Sequence, residues 1–203
     1  MSWFMVDIEA NGQCPGVYSM TEFACIRWDG DGIHPVRFHG KITVLDGEKS
    51  DPEAEAFYKE WNLVDRDSKP TGQERTIIST PAVVMKDFVE WLELVNVKGR
   101  PMFISDNNGF DYQFINYYCH KYVGRNPFGH SSTNLGSLYK GYVHNMMESF
   151  KKLRKTQHTH NPVDDCLGNL EAMDAIRLLE PHISRFEPDA NSFTTNKPRP
   201  NQA

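Results

Sequence analysis

Seven residues near the start of the chain, Trp3-Phe4-Met5-Val6-Asp7-Ile8-Glu9, constrain the fold more than any other stretch. The apolar context of Phe4, Met5, Val6 and Ile8 reads as a central strand that delivers acids out of a core. Side chains two apart on a strand point to the same face, so Asp7 and Glu9 project side by side at its end. Two such carboxylates repel each other unless a cation sits between them. By itself the pair also fits a solvated strand end.

The rest of the chain is read around that strand. Residues 19–28 form a second strand after a loop holding Gly12, Pro15 and Gly16, and the turn at Gly30-Asp31-Gly32 leads to a third over 36–44. Residues 51–62 read as a helix with Asp51 as N-cap and Pro52 in the first turn. A polar linker follows over 65–79. Thr80-Pro81 opens a stronger helix whose Val84, Phe88, Trp91, Leu92 and Val95 recur at helical spacing and face the core. Then come a short strand over 102–105, a helix over 111–122, a helix over 134–150 interrupted by Gly136 and Gly141, and a last helix over 162–179. Strands first as a meander, then helices alternating with a further strand, give an α/β class: a mixed sheet, antiparallel then parallel, flanked by helices.

Composition narrows the functional classes. A chain of 203 residues suits one domain with one site. No apolar run approaches the ~20 residues of a membrane span, and the N-terminus has neither the basic start nor the apolar length of a signal peptide. Cys14, Cys25, Cys119 and Cys166 are scattered without a C-x-x-C pair, which fits a reducing, cytoplasmic setting. The net charge of −5 argues against a protein that coats nucleic acid by phosphate neutralisation alone. It does not argue against a nuclease, because bound divalent cations reverse the local sign.

Two further segments carry chemistry. Asn107-Asn108-Gly109-Phe110-Asp111 follows the short strand and starts a helix, so Asp111 can face a cleft shared with the first strand; a turn with a helix-start acid reads the same way. His160-Asn161-Pro162-Val163-Asp164-Asp165 opens the last helix, and His160 and Asp165 can face one metal site; a loop histidine beside acids serving the helix N-terminus is the plainer reading.

Joint occurrence is more specific than any piece. The order D-x-E, N-x-x-x-D with Phe before the Asp, then H-x-x-x-x-D resembles the DEDDh 3′-to-5′ exonuclease superfamily, which includes the proofreading exonucleases, oligoribonuclease and RNase T. Asp7 and Glu9 match the first motif, Asn107, Phe110 and Asp111 the second, His160 and Asp165 the third. The family often has Thr after the first Glu and Ala two residues after the His; this chain has Ala10 and Pro162 there, while Gly12 keeps the usual small residue. His158 does not give the family's five-residue step to Asp165, and no Tyr lies four residues before Asp164 or Asp165, as a related subclass would require.

The resemblance implies an RNase H-like exonuclease domain over 1–185, with 186–203 as a loose polar tail. It implies that Asp7, Glu9, Asp111 and Asp165 hold two Mg²⁺ or Mn²⁺ ions about 4 Å apart, and that His160 takes a proton from the attacking water. The substrate so implied is single-stranded nucleic acid or a 3′ overhang, RNA or DNA, cut to nucleoside monophosphates. Ala10, Asn107, Trp61 and Phe57 are candidate substrate contacts; the two aromatics sit in a segment resembling one in oligoribonuclease, where stacking would contribute ~1–3 kcal/mol. They fit equally well a buried helix face. Lys151, Lys152, Arg154 and Lys155 could track phosphates or form a solvated face. Small stand-alone relatives are often homodimers. Two other readings stay open: a metal hydrolase built on His158, His160, Asp164 and Asp165 with a substrate other than nucleic acid, and a catalytically idle nucleic-acid-binding module.

Overall fold

The computed structural model describes residues 2–30, 32, 35–42, 49, 51–52 and 74–179. Among them, β1 (Trp3–Ala10), β2 (Met20–Trp28), β3 (Arg37–Ile42), β4 (Glu74–Ser79), β5 (Met102–Ser105) and β6 (Ser132–Asn134) form one sheet in the order β4-β3-β2-β1-β5-β6. The first three strands are an antiparallel meander, whereas β4 joins β3, β5 joins β1 and β6 joins β5 in parallel. Among the described residues four helices flank the sheet: α1 (Pro81–Val95), α2 (Asn108–Val123), α3 (Leu135–Tyr142) and α4 (Pro162–Leu179), with a short 3-10 turn at Phe150–Leu153.

β1 is interior because both its faces are apolar. Phe4, Val6 and Ile8 join Phe23, Cys25 and Phe38 in a core sealed by Val84, Phe88 and Leu92 of α1 and Phe114, Ile115 and Tyr118 of α2. Met5 on the opposite face joins Ala24, Ile26 and Ile104 beneath Cys166, Leu170, Met173 and Ile176 of α4. By strand alternation Asp7 and Glu9 continue the Met5 face, the one α4 covers. β5 pairs with β1 only from Trp3 to Met5, so β1 runs on to Ala10 with no β5 neighbour. The carboxyl end of β5 thus stops just before the two acids, and the carboxyl ends of the strands are where open α/β sheets bind ligands.

One close approach is specific to this packing. A Cβ on Gly40 of β3 would stand 2.6 Å from Cε1 of Phe23 and 2.8 Å from Cγ1 of Val84, so the bare backbone is what lets α1 settle on the sheet. Gly40→Ala is expected to cost about 1–3 kcal/mol through overpacking, read as a lower thermal midpoint; an unchanged midpoint would contradict this packing account.

The sequence reading is corrected in two places. Residues 65–79 are not linker throughout, because Glu74–Ser79 forms β4. Among the described side chains of β4 only Ile77 packs on the core; Arg75 on the same face pairs with Asp87 of α1, and Thr76 and the 64% exposed Ile78 face outward, so the segment lacks an apolar alternation. The helix read over 134–150 is only α3, which ends at Tyr142. Gly141 weakens its last turn, His144 then takes a left-handed backbone at φ 53°, and Met146 and Met147 face solvent with no core to hold a further turn. Ser132–Asn134 before it is strand β6. The helix read over 51–62 and the tail over 186–203 lie outside the described residues, apart from Asp51 and Pro52.

Candidate active site

Four buried carboxylates lie near one another beyond the carboxyl end of β5. Asp7 and Glu9 come from β1, Asp111 from the first turn of α2 and Asp165 from the first turn of α4, and none is more than 8% exposed. Each is set by local chemistry. The Asn107 carbonyl accepts from the N–H groups of Phe110 at 2.8 Å and Asp111 at 3.0 Å, which starts α2, and Phe110 packs edge-on against Phe114. α4 starts at Pro162, whose missing N–H is no loss there, and the Asn161 side chain accepts from the Val163 N–H at 2.9 Å. The Asp165 N–H then donates to the Asn161 carbonyl at 3.0 Å, fixing Asp165 one turn into the helix.

The acids act on each other. One oxygen each from Asp7, Glu9 and Asp165 lies within 4.8 Å of the other two. The Ile8 N–H donates to Asp111 Oδ1 at 3.3 Å, tying α2 to β1 between the two acids of the strand. Burial, reinforced by the charges of Asp111, Asp165, Glu9 and Asp106, holds the Asp7 carboxyl well above the usual range. Burial, then the charge of Asp106, pushes Asp111 up to about 8. Asp165 is raised by burial and pulled back by His158, Arg154 and His160. Asp111 Oδ2 and Asp165 Oδ2 are buried without a hydrogen-bond donor. Orphaned oxygens among mutually repelling, all-oxygen donors are what a hard divalent cation satisfies, so the residues present fit such an ion.

These shifts set a pH dependence. The folded state binds the carboxylate protons more tightly than the unfolded chain, so the stabilisation from these groups is full below about pH 4 and is lost as pH rises towards 8, where Asp111 finally ionises. With a chelator, the thermal midpoint is expected to fall across that window; with Mn²⁺ the fall should be shallower, because the ion offsets the repulsion. Parallel slopes in the two conditions would contradict a cation at these acids.

His160 sits at the edge of the cluster, its Nδ1 3.7 Å from Glu9 Oε1, with its backbone in the left-handed region at φ 57°. A non-glycine residue held there is strained, and such strain gathers at functional sites. The ring of His158 meets that of His160 edge to face, with centroids 4.1 Å apart, and His158 Nδ1 lies 2.7 Å from Asp165 Oδ1. Asp164 turns elsewhere, accepting from the Thr159 hydroxyl at 2.8 Å.

The other residues singled out in the sequence fall differently. Ala10 is buried at the end of β1, where the pairing with β2 slips by one residue. Asn107 is exposed at the start of α2. Trp61 and Phe57 lie outside the described residues. Of the basic run, Lys151, Lys152 and Lys155 are exposed, but Arg154 turns inward. Its guanidinium is 3.4 Å from Asp106 and 3.9 Å from Asp165 and also donates to Asn169, linking the end of β5 to α4. Gly168 makes room for it: a Cβ there would stand 3.1 Å from Arg154 Cδ. Sequence reasoning missed Asp106, and it read Arg154 as tracking phosphates or as part of a solvated face, not as the partner of Asp106 and Asp165. The only trace of Asp106 was its place directly after the short strand, and Arg154 looked like its exposed neighbours.

The RNase T exonuclease family model matches residues 4–173, a span holding Asp7, Glu9, Asp111, His160 and Asp165. A 3′-5′ DNA exonuclease of Escherichia coli, Cap18, is 29% identical over 150 residues, covering 68% of each chain. Among solved structures, the cell-death related nuclease CRN-4 aligns with a TM-score of 0.65 at 16% identity, over 88% of this chain and 64% of that one. The zinc-bound complex of E. coli ExoI with single-stranded DNA aligns at 0.60 and 14% identity, over 91% of this chain and 42% of that one. The chain thus spans less than two thirds of either solved neighbour. These likenesses place the sheet and helices in the RNase H-like fold, and the family match over most of the chain makes this protein a member of the RNase T family of exonucleases.

Proposed function

We propose that this exonuclease shortens single-stranded nucleic acid from its 3′ end, with Asp7, Glu9, Asp111 and Asp165 holding two Mg²⁺ or Mn²⁺ ions and His160 acting as general base. The observation that carries the reading is the convergence of the buried Asp7, Glu9 and Asp165, with Asp111 of α2 bonded to β1 between the two strand acids and a histidine at their edge. The 3′-5′ polarity of Cap18 and the single-stranded DNA in the ExoI complex support the direction and the substrate class. Bound divalent ions would polarise the phosphate and stabilise charge on the attacking and leaving oxygens.

The protein's own groups do the rest. His160 stands at the open side of the cluster, half-buried, where it can accept the proton of the attacking water. Arg154 neutralises part of the charge behind Asp165, and Asp165 in turn keeps its place between α4 and β1. Completeness of the set speaks against an idle binding module. The all-oxygen donors of Asp7, Glu9 and Asp165, with Asp164 turned to Thr159, speak against a hydrolase built on His158, His160, Asp164 and Asp165 alone.

Product analysis tests the reading. Oligonucleotides with a free 3′-hydroxyl are expected to release nucleoside 5′-monophosphates, resolved by chromatography, under Mg²⁺ or Mn²⁺. Release of internal oligonucleotides, or of nucleotides from the 5′ end first, would contradict it.

A further inference from the structure

Two sets of ligand atoms share Asp165. One is the carboxylate set with Asp7 and Glu9; the other joins Asp165 to His158 and His160, and within each set one atom from every residue lies within 4.8 Å of the others. We infer that the second set is a separate metal position, taking a transition metal of the Zn²⁺ type and silencing the enzyme when filled.

The donor chemistry separates the two. Oxygen alone suits Mg²⁺, whereas two imidazole nitrogens and one carboxylate oxygen match the three-ligand sites of zinc with a fourth position open. Asp165 carries the second observation: its side chain is fully buried, His158 engages Oδ1, and Oδ2 has no hydrogen-bond donor. His158 is 41% exposed, so an ion has a path from solvent to the pair of rings. The loop is held in this shape independently of any metal, since Glu171 accepts from the N–H groups of Lys155 and Thr156 at 2.7 Å each.

Silencing follows from the shared residues. An ion on His158, His160 and Asp165 takes a carboxylate from the Mg²⁺ position and occupies the imidazole that would accept the proton. The silencing part rests on the function proposed above; the binding part does not.

The test titrates Zn²⁺ against a chromophoric chelator in excess Mg²⁺, using wild type, His158→Asn and Asp7→Asn. Asn keeps an N–H donor towards Asp165 but removes a metal ligand, and zinc inhibition is read for each protein as a fraction of its own zinc-free rate with Mg²⁺. Wild type is expected to bind one Zn²⁺. His158→Asn should bind it at least about tenfold more weakly, since even outer partners of a site cost that much when lost, and Asp7→Asn should retain it. Half-inhibition of hydrolysis should shift to higher zinc in His158→Asn by the same factor. No zinc on the wild type, equal affinity in wild type and His158→Asn, or loss of zinc in Asp7→Asn would each overturn the inference. A wild type that binds zinc as expected but hydrolyses nothing with Mg²⁺ or Mn²⁺ would sink the proposed function and the silencing, leaving the binding position standing.

Discussion

Asp7→Asn is expected to lower hydrolysis about a thousandfold or more while leaving the metal-free protein at least as stable as the wild type. The loss in rate follows if Asp7 helps to hold the ions: their charge stabilisation is worth several kcal/mol, and about 4 kcal/mol corresponds to a thousandfold. The stability result has the opposite sign because Asp7 is buried among Asp111, Asp165 and Glu9, whose charges disfavour its ionised form. Asn removes a charge of nearly the same shape. A structural acid would behave otherwise, since its loss lowers the thermal midpoint. Rate and midpoint measured together in chelator therefore separate the two roles, and a variant that kept its rate would remove Asp7 from the mechanism.

His160→Ala should lower turnover by about a hundredfold to ten-thousandfold, the usual contribution of a positioned general base, while the Mn²⁺ concentration that raises the thermal midpoint changes little. The histidine lies outside the carboxylate set, 3.7 Å from Glu9, so losing it leaves those oxygens in place. Unchanged hydrolysis at neutral pH would reject the base role. A large shift in the Mn²⁺ requirement would instead make His160 a ligand.

Both expectations grow from residues that are plain in the sequence, and the reasons are physical. Asp7 and Glu9 stood out because β1 is apolar on both faces, so acids two apart at its end contradict their surroundings. Asp111 and Asp165 stood out because each opens a helix marked by turn residues or by Asn-Pro. Local periodicity also carried β1 to β3, α1 and α4. It failed at β4, an edge strand with one inward side chain, and at β6, whose three residues are half-buried and have no apolar pattern. Arg154 and Asp106 escaped for a different reason: they join the site through a pairing 48 residues apart, and nothing in either neighbourhood records the partner. His158 was legible as a candidate metal ligand beside His160, Asp164 and Asp165, but its bond to Asp165, made through the loop before α4, was not.

The most direct measurement is a time course of digestion of 5′-labelled single-stranded RNA and DNA with Mg²⁺ or Mn²⁺, run for the wild type, Asp7→Asn and a chelator control. A ladder that shortens one nucleotide at a time from the 3′ end, absent from both controls, is the predicted result. Intact substrate under every condition, or a ladder that persists in Asp7→Asn, would contradict a carboxylate-held metal as the engine of this enzyme.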